Sequence, residues 1–260
     1  MDDYLREIVL GVLAAAVTAA LGWFARTYLW RRRLRRTQRF FGLPDNSECL
    51  LIVNRDPATA ELAVHRRDVY ALLELSALIK DCRAHANIIS HETAQQGFGE
   101  RTEFCLGGPA SNRRTLAHLR SLLPGVSVNP DPEPGPDRAA FTIGSERYRM
   151  DKGITEYVLL ARLTAGQQDG DTPRPVFLLC GQSGITNQAA ARYLARHHAR
   201  LGRKYGPTGT FCLLLKVVNS QAYGPDVVEL VDDVTRAATS PQPTPPPANG
   251  SRRGGHRAVG

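Results

Sequence analysis

Residues 177–197 read FLLCGQSGITNQAAARYLARH, and this stretch decides the fold. An apolar run of strand character meets Gly181-Gln182-Ser183-Gly184. From Ile185 to Arg203 the apolar positions then recur at helical spacing. Strand, glycine turn and helix form the local unit of an α/β sheet. FCLGGPASNRRT, residues 104–115, repeats it, and Asn112 to Leu123 reads as a helix stopped by Pro124-Gly125.

Working outward, ECLLIVN (48–54), ANIISH (86–91), VSVN (126–129), EYVLLARLT (156–164), PVFLLCG (175–181) and TFCLLLKVVN (210–219) read as strands. RDVYALLELSALIKDCRAH (67–85) reads as a helix with one broad apolar face. AFTIG and RYRMD pair as a hairpin across Gly144-Ser145, and PDVVELVDDVTRAA (225–238) closes the domain as a helix or a strand. Apolar strands without clean alternation, interleaved with helices, predict an α/β fold: a three-layer sandwich with a mainly parallel sheet. Phe141–Leu163 breaks the alternation and predicts a local antiparallel section.

Ahead of this domain, Ile8 to Ala25 is IVLGVLAAAVTAALGWFA, eighteen residues without a charge. At about 1.5 Å per residue, such a helix covers roughly 27 Å, close to the hydrocarbon thickness of a bilayer. Trp23, Tyr28 and Trp30 sit where interfacial aromatics belong. Seven arginines follow between Ala25 and Phe40 with no acid among them, while Asp2 and Asp3 precede the apolar stretch. That order is the reverse of a secretory signal peptide. It predicts a single transmembrane anchor with Met1 outside and the domain in the cytoplasm. The expected organisation is an anchor at 1–30, a basic juxtamembrane linker at 31–43, an α/β domain at 44–236 and a disordered Pro/Gly/Arg-rich tail at 237–260. The bilayer would be contacted by residues 8–25, and anionic lipid headgroups by Arg31, Arg32, Arg33, Arg35 and Arg36.

The formal charge is +8, yet residues 40–239 sum to zero, so the basicity belongs to the juxtamembrane run and the tail. A nucleic-acid surface would carry its charge on the domain, so nucleic acid is not an expected partner. The five cysteines, Cys49, Cys82, Cys105, Cys180 and Cys212, are odd in number and contain no CxxC. They read as buried reduced thiols, and no metal site is expected.

The two glycine turns are the candidate site. At the first, Gly107, Gly108, Ser111 and Asn112 precede a helix, with Ser111 or Asn112 as its cap. Unpaired N–H groups and the helix dipole favour an anion there. Arg113 and Arg114 in the first turn oppose that dipole and call for a negative partner. The second turn supplies Gly181, Ser183, Gly184, Thr186 and Asn187. Neither turn is a Walker A loop, a GxGxxG fingerprint or a GxSxG elbow, so no cofactor is expected. Two such turns at two strand ends suit one phosphorylated, nucleotide-like molecule, as ligands of open α/β sheets lie at carboxyl ends of strands.

The remaining polar groups read more plainly. HETAQQGFGERTE (91–103) is a long connection that can act as a lid or lie as simple surface. His91, Glu92 and Glu100 are acid–base candidates or surface residues, and Asp151 or Glu156 can bind a ribose hydroxyl. His197 and His198 read as a solvated helix face. Cys105 and Cys180 precede the glycine turns, with no histidine placed as a base for either.

With RRRLRR, FFGLPDNSECLLIVNRDP, FCLGGPASNRRT and VFLLCGQSGITNQAAA, the layout resembles single-pass membrane proteins of actinobacteria that carry a short anchor, an arginine run and a cytosolic α/β domain. The resemblance spans most of residues 1–236 and implies the architecture but no activity. A looser similarity, to membrane-anchored nucleotide-sensing proteins of bacterial conflict systems, rests on the anchor and the glycine-turn domain. The expectation is a membrane-anchored domain that binds or senses a nucleotide-like phosphorylated ligand. The alternatives are a nucleotide or nucleoside hydrolase or transferase, with Glu92, Glu100, Asp151 or Glu156 as its working carboxylate, and a tethered interaction protein.

Overall fold

The computed structural model describes residues 2–54, 64, 66–94, 99–131, 133, 135, 137–164 and 174–241. The chain opens with α1 (Asp2–Phe41), β1 (Glu48–Val53), α2 (Arg66–Asp81), β2 (His85–Ser90), β3 (Glu103–Leu106) and α3 (Arg113–Leu122). Three short strands follow, β4 (Val126–Val128), β5 (Phe141–Ile143) and β6 (Glu146–Tyr148). The remainder is β7 (Thr155–Thr164), β8 (Pro175–Gly181), α4 (Gly184–Tyr205), β9 (Phe211–Val218), α5 (Ser220–Tyr223), β10 (Val228–Asp233) and α6 (Thr235–Thr239).

The fold is mixed α/β with a seven-stranded sheet in the order β10-β9-β7-β8-β3-β1-β2. β2, β1, β3 and β8 pair in parallel, and β9 runs in the same direction. β7 lies antiparallel between β8 and β9, and β10 is antiparallel at the edge. The antiparallel section expected at Phe141–Leu163 is therefore β7 together with the β5–β6 hairpin, where Ile143 faces Glu146. β4, β5 and β6 form a separate three-stranded sheet.

Both faces of the large sheet are apolar. Leu51 and Val53 of β1 point into a cluster with Phe40, Phe41, Leu75, Ile79, Leu194 and Leu201. Leu50 and Ile52, alternating with them, join Leu119, Leu123, Phe141 and Ala238 on the other side. Burial on both sides removes the alternation of polar and apolar residues from the strands. The alanines at 189–191 are buried, and the small side chains let α4 lie against α2. Arg192 on α4 also pairs with Glu74 on α2 at 2.6 Å.

The boundaries differ from the expectation at both ends. Residues 31–41 continue α1 without a break, and Phe40, Phe41 and Leu43 are fully packed core residues, so the domain begins before residue 44. The arginine run is thus one continuous helix entering the core, not a linker. At the other end, Ala238 is buried in α6, so packing extends past 236. Residues 242–260 of the expected tail lie outside the described residues. The segment Glu7–Phe41 is long and apolar enough to cross a membrane, and none of its apolar window is buried.

Candidate functional site

β3 and β8 are parallel neighbours, so the two glycine turns emerge side by side. Gly107 N–H donates to the Leu179 carbonyl at 3.0 Å. A Cβ placed on Gly108 would lie 3.5 Å from the Gly181 carbonyl oxygen. α2 follows β1 onto one face and α3 follows β3 onto the other. The carboxyl ends of β1 and β3 are accordingly a topological switch point, where the crossover direction reverses and where the ligand crevice of open α/β sheets generally lies.

The turns are held by side chains of the chain itself. Gly107 has φ +105°, in the region that favours glycine, and a side chain there would collide with Asn54 at the end of β1. Asn112, fully buried, caps α3: its oxygen accepts from the N–H groups of Arg114 and Thr115 at 3.0 and 3.1 Å. Its amide donates to the Ile52 and Leu106 carbonyls, tying the cap to β1 and β3. Ser183 caps α4 in a reciprocal box with Thr186. Asn187, also buried, accepts from Gly181 N–H at 2.9 Å and donates to Asp68 Oδ1 at 3.1 Å. Asn112, Ser183, Thr186 and Asn187 therefore shape the crevice, and most of their polar capacity is spent within the fold. Gly108, Ser111, Arg113 and Gly184 line its outer part, Ser111 and Arg113 being exposed.

The negative partner that the α3 arginines call for is found for Arg114. Its guanidinium forms a bidentate pair with Glu103 on β3, Nη2–Oε1 2.5 Å and Nε–Oε2 3.0 Å, and His118 Nε2 sits 3.0 Å from Oε2. Burial alone would raise the Glu103 carboxyl, but the hydrogen bonds from His118 and Arg114 hold it below the ordinary glutamate range. Glu103, Cys105 and His118 place their ligand atoms within 4.8 Å of one another. Arg114 already pairs with the carboxylate, so Glu103, Arg114 and His118 form an internal ion network, and burial pushes the neighbouring Cys105 thiol well above its ordinary value. Arg113 has no carboxylate partner among the described residues.

Two residues that sequence reasoning did not single out complete the crevice. Asn54 ends β1 and Asp68, buried, stands in the first turn of α2. With its NH2 turned to the Leu106 and Ser111 carbonyls at 3.0 and 3.2 Å, Asn54 also accepts from Ser111 Oγ. In the other amide orientation its NH2 donates to Asp68 Oδ2 at 3.3 Å. A strand followed by a polar residue, then an acid at a helix start, was the available signal. His91 follows β2, its N–H donating to the Val53 carbonyl. Its Nδ1 is buried with no partner among the described residues. Burial lowers its pKa, with the Glu92 charge opposing the fall and the Arg113 charge adding to it.

The other candidates lie as follows. Glu156 is buried in β7 and accepts from Ser183 Oγ, Ser220 Oγ and Gly153 N–H, so it touches the second turn with both oxygens engaged. Asp151, Glu92 and Glu100 are exposed. Residues 95–98 of the expected lid lie outside the described residues. Cys105 and Cys180 are fully buried, and burial pushes the Cys180 thiol up to about 12, which removes both as nucleophiles at neutral pH. His197 and His198 are not a solvated face. His197 stacks on Tyr193 at 4.1 Å, and the His198 ring lies 5.5 Å from Phe41. No protein-family model matches the chain, and no curated protein matches it either.

Proposed function

We propose that the crevice at the carboxyl ends of β1, β3 and β8 binds a phosphorylated, nucleotide-like ligand, in a domain tethered to the cytoplasmic face of a membrane by α1. The observation that carries the reading is the meeting of both glycine turns at the switch point, with Arg113, which has no carboxylate partner among the described residues, on the rim. Arg113 supplies positive charge for a phosphate, and the positive dipole ends of α3 and α4 add to it. His91 Nδ1, buried with no partner among the described residues, offers a further polar contact. Coverage of both sheet faces supports reading the domain as three layers. The exposed apolar helix followed by arginines supports a single pass with the domain inside. Arg31, Arg32, Arg33, Arg35 and Arg36 are then placed to attract anionic lipid headgroups.

Binding or sensing is favoured over catalysis because Glu156, the acid nearest the second turn, has both oxygens occupied by the chain. The test is the thermal midpoint of the full-length protein with a panel of nucleoside mono-, di- and triphosphates and cyclic nucleotides. At least one should raise the midpoint, and Arg113→Glu should abolish the rise while leaving the unliganded midpoint in place. A flat panel, or an Arg113→Glu protein that responds like the parent, removes the reading.

A further inference from the structure

A second feature lies at the opposite end of the sheet, independent of the glycine turns. A cavity of about 400 Å³ opens where α1 enters the domain, beside the amino end of β8. Four arginines line it: Arg35 and Arg39, one turn apart on α1, with Arg162 of β7 and Arg174 just before β8. Among the described residues Asp45 is the single acid in the lining, and it lies 4.0 Å from Arg83. We propose that this cavity is a phosphate-recognition site for a phosphate monoester, presented either on a lipid headgroup or by a free small molecule.

Arg162 carries the argument furthest. It is 2% exposed, and no carboxylate among the described residues pairs with it. Its guanidinium is held by three carbonyls, Phe40 at 3.0 Å, Gly209 at 2.8 Å and Pro207 at 2.7 Å. Burial accordingly pulls its pKa down to about 10, still charged at neutral pH. Buried charges are normally paired with an opposite charge. Here the neighbouring side chains add further positive charge: Arg174 donates to the Gly42 carbonyl at 3.2 Å, and Arg35 and Arg39 are exposed. An anion entering the cavity would offset repulsion among the four arginines, against which the described lining sets only Asp45. Guanidinium groups match phosphate oxygens in bidentate fashion. The volume falls within the range of small-molecule sites.

The position fits either source. Counting from Trp30 at about 1.5 Å per residue, Arg35 lies roughly 8 Å and Arg39 roughly 14 Å along the helix. A headgroup layer is on the order of 5–8 Å thick, so a protruding lipid phosphate reaches the outer arginine and a soluble one reaches all four. This is a discrete site, distinct from diffuse attraction by Arg31 to Arg33.

The test uses the full-length protein in phosphatidylcholine nanodiscs, titrated with glycerol 3-phosphate, and in nanodiscs doped with phosphatidic acid. The thermal midpoint is read in both arms, and calorimetric affinity in the first. A rise with glycerol 3-phosphate assigns a free ligand. A rise with phosphatidic acid alone assigns a lipid, and a rise with both assigns a site open to either. With glycerol 3-phosphate, Arg39→Gln/Arg174→Gln should lose the rise, with binding weakened about tenfold or more, whereas Arg31→Gln/Arg32→Gln should keep it. With phosphatidic acid, Arg35→Gln should lose the rise, whereas Arg120→Gln, an exposed arginine of α3 outside the cavity, should keep it. If Arg39→Gln/Arg174→Gln does not fold, Arg35→Gln on the exposed helix surface takes its place in the first arm. No response in either arm, a pocket variant that behaves like the parent, or an equal loss in the control variant of that arm overturns the proposal.

Discussion

Arg114 grips Glu103 through two hydrogen bonds, at 2.5 and 3.0 Å, from the first turn of α3 to the middle of the sheet. A cation at a helix start is misplaced with respect to the dipole, and the buried carboxylate on β3 compensates for it. The Glu103 side chain is fully buried, and Arg114 is 14% exposed. The pair docks α3 on β3, and with it the first glycine turn.

Removing one partner should therefore destabilise strongly. Arg114→Ala leaves a buried carboxylate with His118 as its remaining side-chain partner at Oε2, and a loss of about 3–5 kcal/mol is expected in denaturant unfolding. The same pair sets an acid limb. The Glu103 carboxyl sits below its ordinary value of 4.5 when folded, so its stabilisation is present above 4.5 and fades as pH falls through the lower, folded value. Glu103→Gln should flatten that part of the stability–pH curve and lower the plateau at neutral pH.

Gly107 and Asn54 should be coupled. Gly107→Ala forces a side chain into φ +105° and into Asn54, and a loss of about 1–3 kcal/mol is expected. Gly107→Ala/Asn54→Ala removes the collision but not the backbone strain. The double variant should be less destabilised than the sum of the two single variants, measured as a double-mutant cycle. Additive losses would show that the contact does not limit this turn.

Asn112 should matter more than an ordinary helix cap. Asn112→Ala loses the cap of α3, worth about 1 kcal/mol, and also the two amide hydrogen bonds to the Ile52 and Leu106 carbonyls. Asn112→Asp keeps the accepting oxygens and loses the donors. It should recover only part of the thermal midpoint lost in Asn112→Ala.

The five cysteines should be inert in the native protein. All are buried, and burial pushes the Cys49 and Cys82 thiols up to about 12. Iodoacetamide at neutral pH, followed by mass spectrometry, should label none of the five without denaturant and all of them with it. Labelling of Cys105 or Cys180 in the native state would reopen a nucleophilic role at the glycine turns.

Local chemistry is why much of the architecture was legible. Periodicity marks β1, β3, β8, β9, α2 and α4 because backbone geometry alone sets which side chains share a face. Glycine turns, Asn112 and Ser183 announce helix starts because unpaired N–H groups need local acceptors. The uncharged run at residues 8–25 announces a helix with no core to bury it. Strand order, by contrast, depends on contacts between residues far apart in the chain. Tertiary structure alone therefore brought Gly108 beside Gly181, gave Arg114 the partner Glu103, and carried Phe40 and Phe41 from an apparent linker into the core. It alone also gathered Arg35 and Arg39 with Arg162 and Arg174, more than a hundred residues further along the chain, around one cavity.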